Sequence, residues 1–271
     1  MSIPLRIMII GAHPDDCEFT AGGTAALWVA RGDTVCFVSL TNGDAGHHEM
    51  GGGHLAQIRR TETNNVSRFF GVQYIILDNH DGALLPTLEL RYQVIDMIRT
   101  FQPDLILSPR PNDYHPDHRY TAQVIQDAAY MVMVPNVRAS VPSLRSNPVI
   151  AYVSDTFQKP LPFAPHVVVS IDTTATQKIA MLNCHVSQMY EWLPWIGGYL
   201  AEVPVEPDTR HRWLAARMDD RLRLDANRYR DMLCTRYGDA RGNAVQYAEA
   251  FEGCEYGSAL DAAAIERLFP F

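Results

Sequence analysis

The chain has 271 residues, of which 47% are hydrophobic, and a formal net charge of -8 at pH 7. This length and composition suffice for one compact enzyme domain with a substantial core. The acidic balance argues against a nucleic-acid partner, which would need a basic patch, and no stretch is long and apolar enough to predict a membrane segment.

The N-terminal segment is predicted to be a strand rather than a leader. Met1 to Ile10 lacks the positive-then-apolar pattern of a signal peptide. The five cysteines are scattered singly, without a Cys-x-x-Cys pair, so the sequence predicts neither a thiolate metal site nor a disulfide framework. These features predict a reduced, cytoplasmic protein.

Strand-like apolar runs alternate with amphipathic stretches through the first half of the chain. The predicted strands are 6–11, 35–40, 74–77 and 105–108, and the predicted helices are 23–31, 55–70, 90–101 and 117–131. This alternation predicts an α/β fold, with a Rossmann-like, mostly parallel sheet, helices on both faces and right-handed crossovers.

The second half of the chain is predicted to extend the same sheet. Residues 149–153 and 167–171 are strand-like, and 244–251 is predicted to add an edge strand. A charged amphipathic helix over 208–237 is predicted to cover the sheet rather than to take part in chemistry. Its inward-facing residues are expected to include Trp213, Leu222 and Leu233.

We therefore expect a single domain over 1–271. Within it, 1–135 would form the Rossmann-like core. The remainder, 136–271, would add strands, an aromatic insert and the C-terminal helix.

Two histidine-carboxylate clusters stand out in this arrangement. His-Pro-Asp-Asp occupies 13–16, directly after the first predicted strand, and His-Pro-Asp-His occupies 115–118, after the fourth. Open α/β sheets place their sites at the carboxyl ends of strands. Pro116 suits the first turn of a helix, which would put His115 and His118 on a common face. The sequence thus predicts a split metal site at the C-terminal ends of strands.

The residue types in the clusters match the needs of a catalytic zinc ion. Such an ion usually has three protein ligands and an open position for water, and His13, Asp16 and His118 would supply this set. Asp15 is the candidate general base, because a carboxylate beside the activated water can take its proton.

His115 is the candidate for a second catalytic role. It could stabilise an oxyanion or protonate a leaving amine, if it is protonated or hydrogen-bonded to a carboxylate. Asp113 and Asp117 are the candidate supporting carboxylates. Either cluster alone is also typical of a turn with a capping Asp. The occurrence of both clusters at predicted strand ends favours the metal site.

Several short blocks accompany the two clusters. They are Gly-Gly-Thr at 22–24, Thr-Asn-Gly-Asp-Ala-Gly at 41–46, Ile-Arg-Arg-Thr-Glu at 58–62, His-Val-Ser-Gln at 185–188 and Tyr-Ala-Glu-Ala-Phe at 247–251. With Gly-Ala-His-Pro-Asp-Asp at 11–16, they resemble the motifs of the LmbE-like or PIG-L-like zinc-dependent N-deacetylases. Members of that family remove acetyl groups from molecules that contain N-acetylglucosamine. The resemblance spans nearly the whole chain.

The family resemblance implies the same metal ligands and the same general base as the residue types of the two clusters do. His13, Asp16 and His118 would bind one Zn²⁺, although another divalent metal is left open. Asp15 would be the base, and His115 the electrostatic or acid partner.

The resemblance also implies two substrate-binding residues. Arg59 falls where the family has an arginine near the substrate, and Asp81 falls where it has a loop aspartate near the site. From the residues alone, Arg59 could equally be a solvated surface charge, and Asp81 could equally be a turn residue. Cys17, which stands between Asp16 and Glu18 where many members carry Glu directly, is expected close to the metal and sensitive to oxidation.

The expected function is that of a zinc-dependent hydrolase that removes an N-acetyl group from an amino-sugar derivative, releasing acetate and a free amine. A metal-dependent hydrolase of another amide or ester, and a non-catalytic sugar-binding homologue, are the alternatives. The expected partner is an N-acetylated amino sugar or its conjugate. Homo-oligomerisation is left open.

Two further segments are expected near the substrate. The loop 46–54, rich in glycine and histidine, is predicted to be a flexible substrate loop or lid. Trp192, Trp195 and Tyr199 belong to an aromatic insert at 188–199. They could stack on sugar faces, form a subunit interface or pack in the core.

Overall fold

The fold is built on one seven-stranded sheet. In the computed structural model, which describes residues 3–271, the strands are β1 Arg6–Gly11, β2 Thr34–Thr41, β3 Gln73–Asn79, β4 Leu105–Ser108, β5 Val149–Val153, β6 Val167–Ser170 and β7 Ala248–Gly253. Their order across the sheet is β3-β2-β1-β4-β5-β7-β6. Strands β1 to β5 pair in parallel, whereas β7 is antiparallel to β5 and β6. The fold is the mostly parallel α/β sheet that the sequence predicts.

Ten α-helices surround this sheet in the described part of the chain. They are α1 Asp16–Arg31, α2 Gly52–Phe70, α3 Leu88–Phe101, α4 Pro116–Ala129, α5 Ala175–Asn183, α6 Leu193–Ile196, α7 Pro207–Arg228, α8 Arg230–Tyr237, α9 Asp239–Ala244 and α10 Ala262–Leu268. A π-helical turn, Ser187–Trp192, leads into α6. Within residues 3–271, no helix has both the length and the apolar character needed to cross a membrane.

Alternating side chains of the central strand β1 pack on the two faces of the sheet. Ile7 and Ile9 belong to a buried cluster with Trp28 of α1, and Met8 and Ile10 belong to a second cluster with side chains of α3 and α4. Alternation of this kind follows from the two-residue repeat of a strand. Both faces are therefore covered, which explains why residues 7–10 of β1 are all apolar.

The strand order places β1 beside β4 in the middle of the parallel part of the sheet. The chain continues from β1 to β2 on one side of this point and from β4 to β5 on the other. Loops that leave neighbouring strands in opposite directions open a crevice at their carboxyl ends. The segment 12–15 and the segment 109–115 border this crevice, and each contributes part of one histidine cluster.

Several strands follow the sequence prediction closely. The predicted strands 6–11, 105–108 and 149–153 have the observed bounds. Met1 and Ser2, which belong to the wider N-terminal strand prediction, lie outside the described residues. The prediction of an edge strand near 244–251 is wrong, because β7 lies between β5 and β6 and leaves β6 at the edge.

Helix α1 begins seven residues earlier than predicted, at Asp16 instead of Gly23. The paired glycines 22 and 23 both lie inside the helix. A Cβ at Gly23 would stand 2.7 Å from the side chain of Ile171. The glycine therefore permits close packing of the helix on the segment after β6.

The predicted helix over 208–237 consists of two helices. It breaks at Tyr229, between α7 and α8. Leu222 and Leu233 are buried as predicted, whereas Trp213 is partly accessible and lines a cavity. The expectation that this segment only covers the sheet is wrong, since α7 forms a wall of the cavity described below.

Candidate active site

The loops after β1 and β4 bring three side chains of the two clusters together. Nε2 of His118 lies 3.2 Å from Nδ1 of His13 and 3.4 Å from Oδ2 of Asp16, and the latter two atoms are 3.6 Å apart. Ligands about 2.1 Å from a tetrahedral zinc ion stand about 3.4 Å from one another. The three atoms therefore have the spacing of three ligands of a single ion.

The chain folds tightly to place Asp16 in this triangle. Its Oδ2 accepts hydrogen bonds from the backbone N–H groups of Ala12 and His13, each at 2.8 Å. A Cβ at Gly11 would lie only 2.4 Å from Cβ of Asp16. Glycine at position 11 is therefore required for the carboxylate to fold back over the end of the strand.

The opposite nitrogen of His13 faces two carboxylates. Its Nε2 is 3.1 Å from Asp81 and 3.3 Å from Asp117, which is fully buried and also accepts the N–H groups of Gly82 and Leu84. A proton held on Nε2 by these acceptors leaves Nδ1 as a lone-pair donor. The ring is thus oriented as a metal ligand would be.

His118 has the same arrangement with the nitrogens exchanged. Its Nδ1 is 3.1 Å from Oδ1 of Asp113, which frees Nε2 to face His13 and Asp16. Asp113 and Asp117 were expected to support the ring of His115, but their side chains contact the rings of His118 and His13. Backbone N–H groups also hold both carboxylates in place. Asp113 accepts the N–H of His115, and Asp117 accepts the N–H of Gly82.

His115 caps helix α4. Its Nδ1 accepts the backbone N–H of Asp117 at 3.2 Å, and its ring packs edge-on against His13 with 4.6 Å between ring centroids. Burial and the neighbouring rings of His13 and His118 lower the pKa of His115. A neutral His115 whose Nδ1 accepts a hydrogen bond carries its proton on Nε2 and can donate it.

The electrostatics of the cluster favour a bound cation. Burial opposes a charge on His13, but hydrogen bonds to Asp117, Asp16 and Asp81 raise its pKa well above its usual value. For His118 burial also opposes the charge, yet Asp16 and Asp113 raise its pKa to about 10. Positive charge is therefore favoured between these carboxylates, which is the condition for holding a divalent cation.

His115 offers an alternative third ligand. Ring nitrogens of His13, His115 and His118 lie within 4.8 Å of one another. We favour Asp16 because its oxygen lies within 3.6 Å of both other atoms, and because His115 already uses Nδ1 as a helix cap. The residues present thus fit a zinc ion held by two histidines and one carboxylate.

Asp15 lies beside this triangle and is held from the far side. Nη2 of Arg59 is 2.9 Å from its Oδ2, and its backbone adopts φ 141°, which is strained for a residue other than glycine. Burial raises the pKa of Asp15 to about 6, although Arg59 lowers it. Arg59, expected near the substrate, is fully engaged with carboxylates at the base of the cavity.

Arg59 belongs to a buried network that the motifs did not predict. Its Nη1 is 2.8 Å from Glu62, one helical turn further along α2, and Glu62 accepts the N–H and hydroxyl of Ser187. Deeper in the core, His185 pairs with Glu18 at 2.8 Å. The spacing of Arg59 and Glu62 by three residues was the one signal in the sequence.

Cys17 is buried and turned away from the cluster. Its thiol donates to the carbonyl groups of Ile9 and Val38, and burial raises its pKa well above the usual value. A thiol with a raised pKa is a poor nucleophile. The burial and contacts of Cys17 do not support its expected sensitivity to oxidation, which stays a prediction.

A cavity of about 1070 Å³ opens onto the cluster. This volume reaches the upper end of the range of about 300–1,000 Å³ for small-molecule sites. Near the cluster it is lined by Asp15, Asp81 and His115, and further out by the π-helical turn, α6 and α7. The cavity is therefore larger than the acetamido group alone requires.

The loop after β2 and the aromatic insert pack against each other at the rim. His47 pairs with Glu191 at 3.0 Å, and His48 stacks on Trp195. Trp192 and Tyr199 line the cavity, whereas Trp195 is half exposed outside it. Two of the three aromatic residues are thus placed where a substrate would contact them.

The family model described as "PIG-L: GlcNAc-PI de-N-acetylase" matches residues 8–129. A diacetylchitobiose deacetylase of Thermococcus kodakarensis is 33% identical over 141 residues, which cover 50% of this chain and 53% of that relative. The chain thus spans about half the length of this relative. A 4-oxalmesaconate hydratase of Pseudomonas putida is 22% identical over 193 residues, with 68% and 74% of the two chains covered.

Among solved structures, the N,N'-diacetylchitobiose deacetylase of Pyrococcus horikoshii has the same fold. The TM-score is 0.70 at 23% identity, with 96% of this chain and 88% of that chain covered. At this identity the likeness establishes the fold only. The family match, in contrast, covers both histidine clusters and the loops between them. Residues 8–129, which contain both clusters, are therefore similar to the PIG-L family.

Proposed function

We propose that this protein is a zinc-dependent hydrolase that removes the N-acetyl group of an amino-sugar derivative. The observation that carries the proposal is the triangle of His13 Nδ1, Asp16 Oδ2 and His118 Nε2, with edges of 3.2–3.6 Å, at the base of a large cavity. Asp15 and His115 border the same cavity. Two histidines, a carboxylate ligand and a separate base are the components of a zinc hydrolase.

In this proposal His13, Asp16 and His118 hold the ion. Zinc bound there would supply Lewis-acid chemistry, which polarises an acetyl carbonyl and makes water a better nucleophile. Asp117 and Asp113 keep the ligand nitrogens of His13 and His118 unprotonated through hydrogen bonds to the opposite ring nitrogens.

Asp15 acts as the general base. It takes a proton from water as the water oxygen forms a bond to the acetyl carbon. Nε2–H of His115 donates a hydrogen bond to the carbonyl oxygen, whose negative charge grows in the transition state. A proton then passes from Asp15 or His115 to the amine nitrogen as the carbon-nitrogen bond breaks. The products are acetate and the free amine.

Arg59 and Asp81 are proposed to support the substrate side of the reaction. The ion pair of Arg59 with Asp15 fixes the orientation of the base. Asp81, which lines the cavity beside His13, is proposed to accept a hydrogen bond from a sugar hydroxyl. The role of Asp81 follows the family resemblance, whereas the role of Arg59 follows from its ion pair with Asp15, and both residues line the cavity.

The relatives support an amide hydrolase but do not fix the reaction. Two of them are named as deacetylases of an N-acetylated disaccharide, and one is named as a hydratase. We favour deacetylation because the deacetylase from Thermococcus kodakarensis shares the higher identity with this chain. A cytoplasmic location is proposed from the five cysteines, all of which are unpaired.

The decisive experiment combines zinc content with acetate release. Wild type would be compared with Asp15→Asn, which removes the base while keeping a side chain that tolerates unusual backbone angles. Asp220→Asn, an exposed site on α7, is the matched control. Substrates would be N-acetylglucosamine, its disaccharide and a set of its glycosides. Expected results are one zinc per chain in all three proteins and at least about a 100-fold loss of acetate release in Asp15→Asn only.

Each other outcome identifies a different error. Full zinc occupancy without acetate release from any substrate would redirect the search to other amides, esters or hydration. Absence of bound zinc would overturn the metal site. Unchanged acetate release by Asp15→Asn would overturn the assignment of the base.

A further inference from the structure

The cations that line the cavity differ in their partners. Five basic side chains from lysine and arginine border it: Arg59, Arg110, Lys178, Arg217 and Arg221. The first three form ion pairs with Asp15, Asp155 and Glu249 at 2.6–2.9 Å. Arg217 stacks on Tyr199 and lies 3.8 Å from Glu202. Among residues 3–271, Arg221 alone of the five has no carboxylate within 4.0 Å.

The side chain of Arg221 also lacks hydrogen bonds to other described residues. Its guanidinium carbon lies 5.1 Å above the ring of Phe19, which stands one helical turn after Asp15 on the cavity side of α1. The side chain keeps more than a third of its surface accessible, yet the surrounding protein desolvates it and lowers its pKa. A guanidinium that faces the cavity rather than bulk water would have both the accessible surface and the lowered pKa.

The position of Arg221 on α7 explains this orientation. Trp213, Arg217, Arg221 and Asp225 follow one another at intervals of four residues and all line the cavity. Side chains at this spacing share one face of a helix. Asp225 accepts a hydrogen bond from the hydroxyl of Ser154 at 2.8 Å. Its charge raises the pKa of Arg221, but the two side chains form no direct ion pair.

We propose that Arg221 binds an anionic group, a carboxylate or a phosphate, on the part of the substrate beyond the N-acetylated sugar. A guanidinium has five N–H donors in a planar fork that matches these anions, and here all five are free of protein acceptors. The cavity has space for such a group, and Phe19 holds the guanidinium by stacking against its face. The proposal rests on the deacetylase function and specifies its substrate class as acidic glycosides of N-acetylglucosamine.

The test uses three glycosides of N-acetylglucosamine that differ in charge at one position. They carry a methyl, a carboxymethyl or a phosphoethyl group. Acetate release would be measured for wild type, Arg221→Met and Arg221→Lys. Methionine keeps an extended apolar chain against Phe19, and lysine keeps the charge without the fork. Arg212→Ala, an exposed arginine of the same helix outside the cavity, is the control.

The expected loss of kcat/KM is confined to the glycosides that carry a negative charge. In Arg221→Met, kcat/KM for the carboxymethyl or phosphoethyl glycoside should fall about 10- to 100-fold, mainly through KM, because a charged hydrogen bond is lost. The methyl glycoside should change less than about 3-fold. Arg221→Lys should lie between wild type and Arg221→Met. The anion with the larger loss identifies the natural group as carboxylate or phosphate.

A binding measurement separates failure of this proposal from failure of the deacetylase function. Calorimetric titration with the three corresponding amine products requires no turnover. Wild type should bind the two anionic products more tightly than the methyl product, and Arg221→Met should lose this preference. Equal binding of all three products by wild type, or an unchanged preference in Arg221→Met, would overturn the anion site even if acetate is released. Loss of acetate release from all glycosides with the binding preference intact would overturn only the deacetylase function.

Discussion

The ring orientations of His13 and His118 depend on carboxylates that do not belong to the ligand triangle. Asp117 holds Nε2 of His13, and Asp113 holds Nδ1 of His118. Each contact fixes which nitrogen keeps the proton and therefore which nitrogen is available to a metal. Such outer contacts typically contribute 10- to 100-fold to metal affinity.

The first prediction concerns Asp113. Asp113→Asn should weaken zinc binding by about 10- to 100-fold, because the amide holds the His118 ring less firmly than a carboxylate does. Activity at saturating zinc should return to near the wild-type value, since the three ligand atoms remain. Competition with a chromogenic chelator measures the affinity, and a zinc titration of acetate release measures the recovery. An unchanged affinity, alongside the unchanged control Asp220→Asn, would contradict this role.

The second prediction concerns Asp225 and pH. Burial raises its pKa to about 6, despite the hydrogen bond from Ser154 and the charges of Lys178 and Arg228, which lower it, while Glu249 raises it. The unfolded value is about 3.9. Between these values the folded state holds a proton that the unfolded state has released, so the free energy of unfolding falls as pH rises from about 4 to 6.

Asp225→Asn removes this titration while keeping an oxygen for the Ser154 hydroxyl. At pH 7 the variant should be more stable than wild type by about 2 kcal/mol, and the difference should shrink towards pH 4. Urea unfolding at several pH values gives the comparison. A difference that is constant from pH 4 to pH 7 would show that Asp225 titrates normally.

The sequence predicted the residues of the site better than their contacts. The expectation that His13, Asp16 and His118 come together is confirmed, because both clusters follow strands whose carboxyl ends meet. The contacts of Asp113, Asp117 and Arg59 depend on loops from different strands. Local sequence patterns do not show which loops come into contact, so the partners of these three side chains could not be predicted from the sequence.

At the scale of elements, Glu249 joins three pieces of the fold. From β7 its carboxylate accepts the N–H groups of Gly23 and Thr24 on α1, the hydroxyl of Thr24 and the ammonium of Lys178 on α5, at 2.6–3.0 Å. Both partners of the ion pair are almost fully buried. The close approach of α1 that Gly23 permits is thereby fixed by polar contacts.

The third prediction follows from this burial. Glu249→Gln should lower the free energy of unfolding by about 3–5 kcal/mol, because Lys178 would keep a buried charge without a counter-charge. Glutamine also offers only one acceptor oxygen where the carboxylate offers two. Urea unfolding is the measurement, with the exposed Glu255→Gln as the control. The double variant Glu249→Leu with Lys178→Met should recover part of the loss, and an equal or greater loss would contradict the charge argument.

Strands and helices could be predicted where a single local sequence pattern, such as an apolar run, was clear. The apolar runs of β1, β4 and β5 were sufficient to define their bounds. The start of α1 was not predicted, because glycines inside a helix resemble a loop until the packing partner Ile171 is known. The inner position of β7 was also missed, since strand order depends on pairings between segments about 100 residues apart.

At the scale of the molecule, the two halves of the chain contribute different parts of one cavity. Both histidine clusters come from the loops of the parallel half, whereas Trp192, Tyr199 and Arg221 come from the second half. Variation in the π-helical turn, α6 and α7 can therefore change what the cavity accepts without altering the candidate metal site. The amphipathic pattern of α7 predicted a helix but could not distinguish a face on the core from a face on a cavity.

The fourth prediction concerns metal and global stability. The candidate ligands come from two loops 102–105 residues apart, and unfolding would separate them, so zinc should bind only the folded chain. Zinc at about 100 times its dissociation constant should then raise the free energy of unfolding by about 2.7 kcal/mol. Thermal unfolding with zinc and with a chelator measures the shift. His118→Ala should abolish most of the shift, because it removes one of three ligands, whereas His211→Ala, at an exposed position on α7, should keep it. A zinc-dependent shift of full size in His118→Ala would place the ion elsewhere in the molecule.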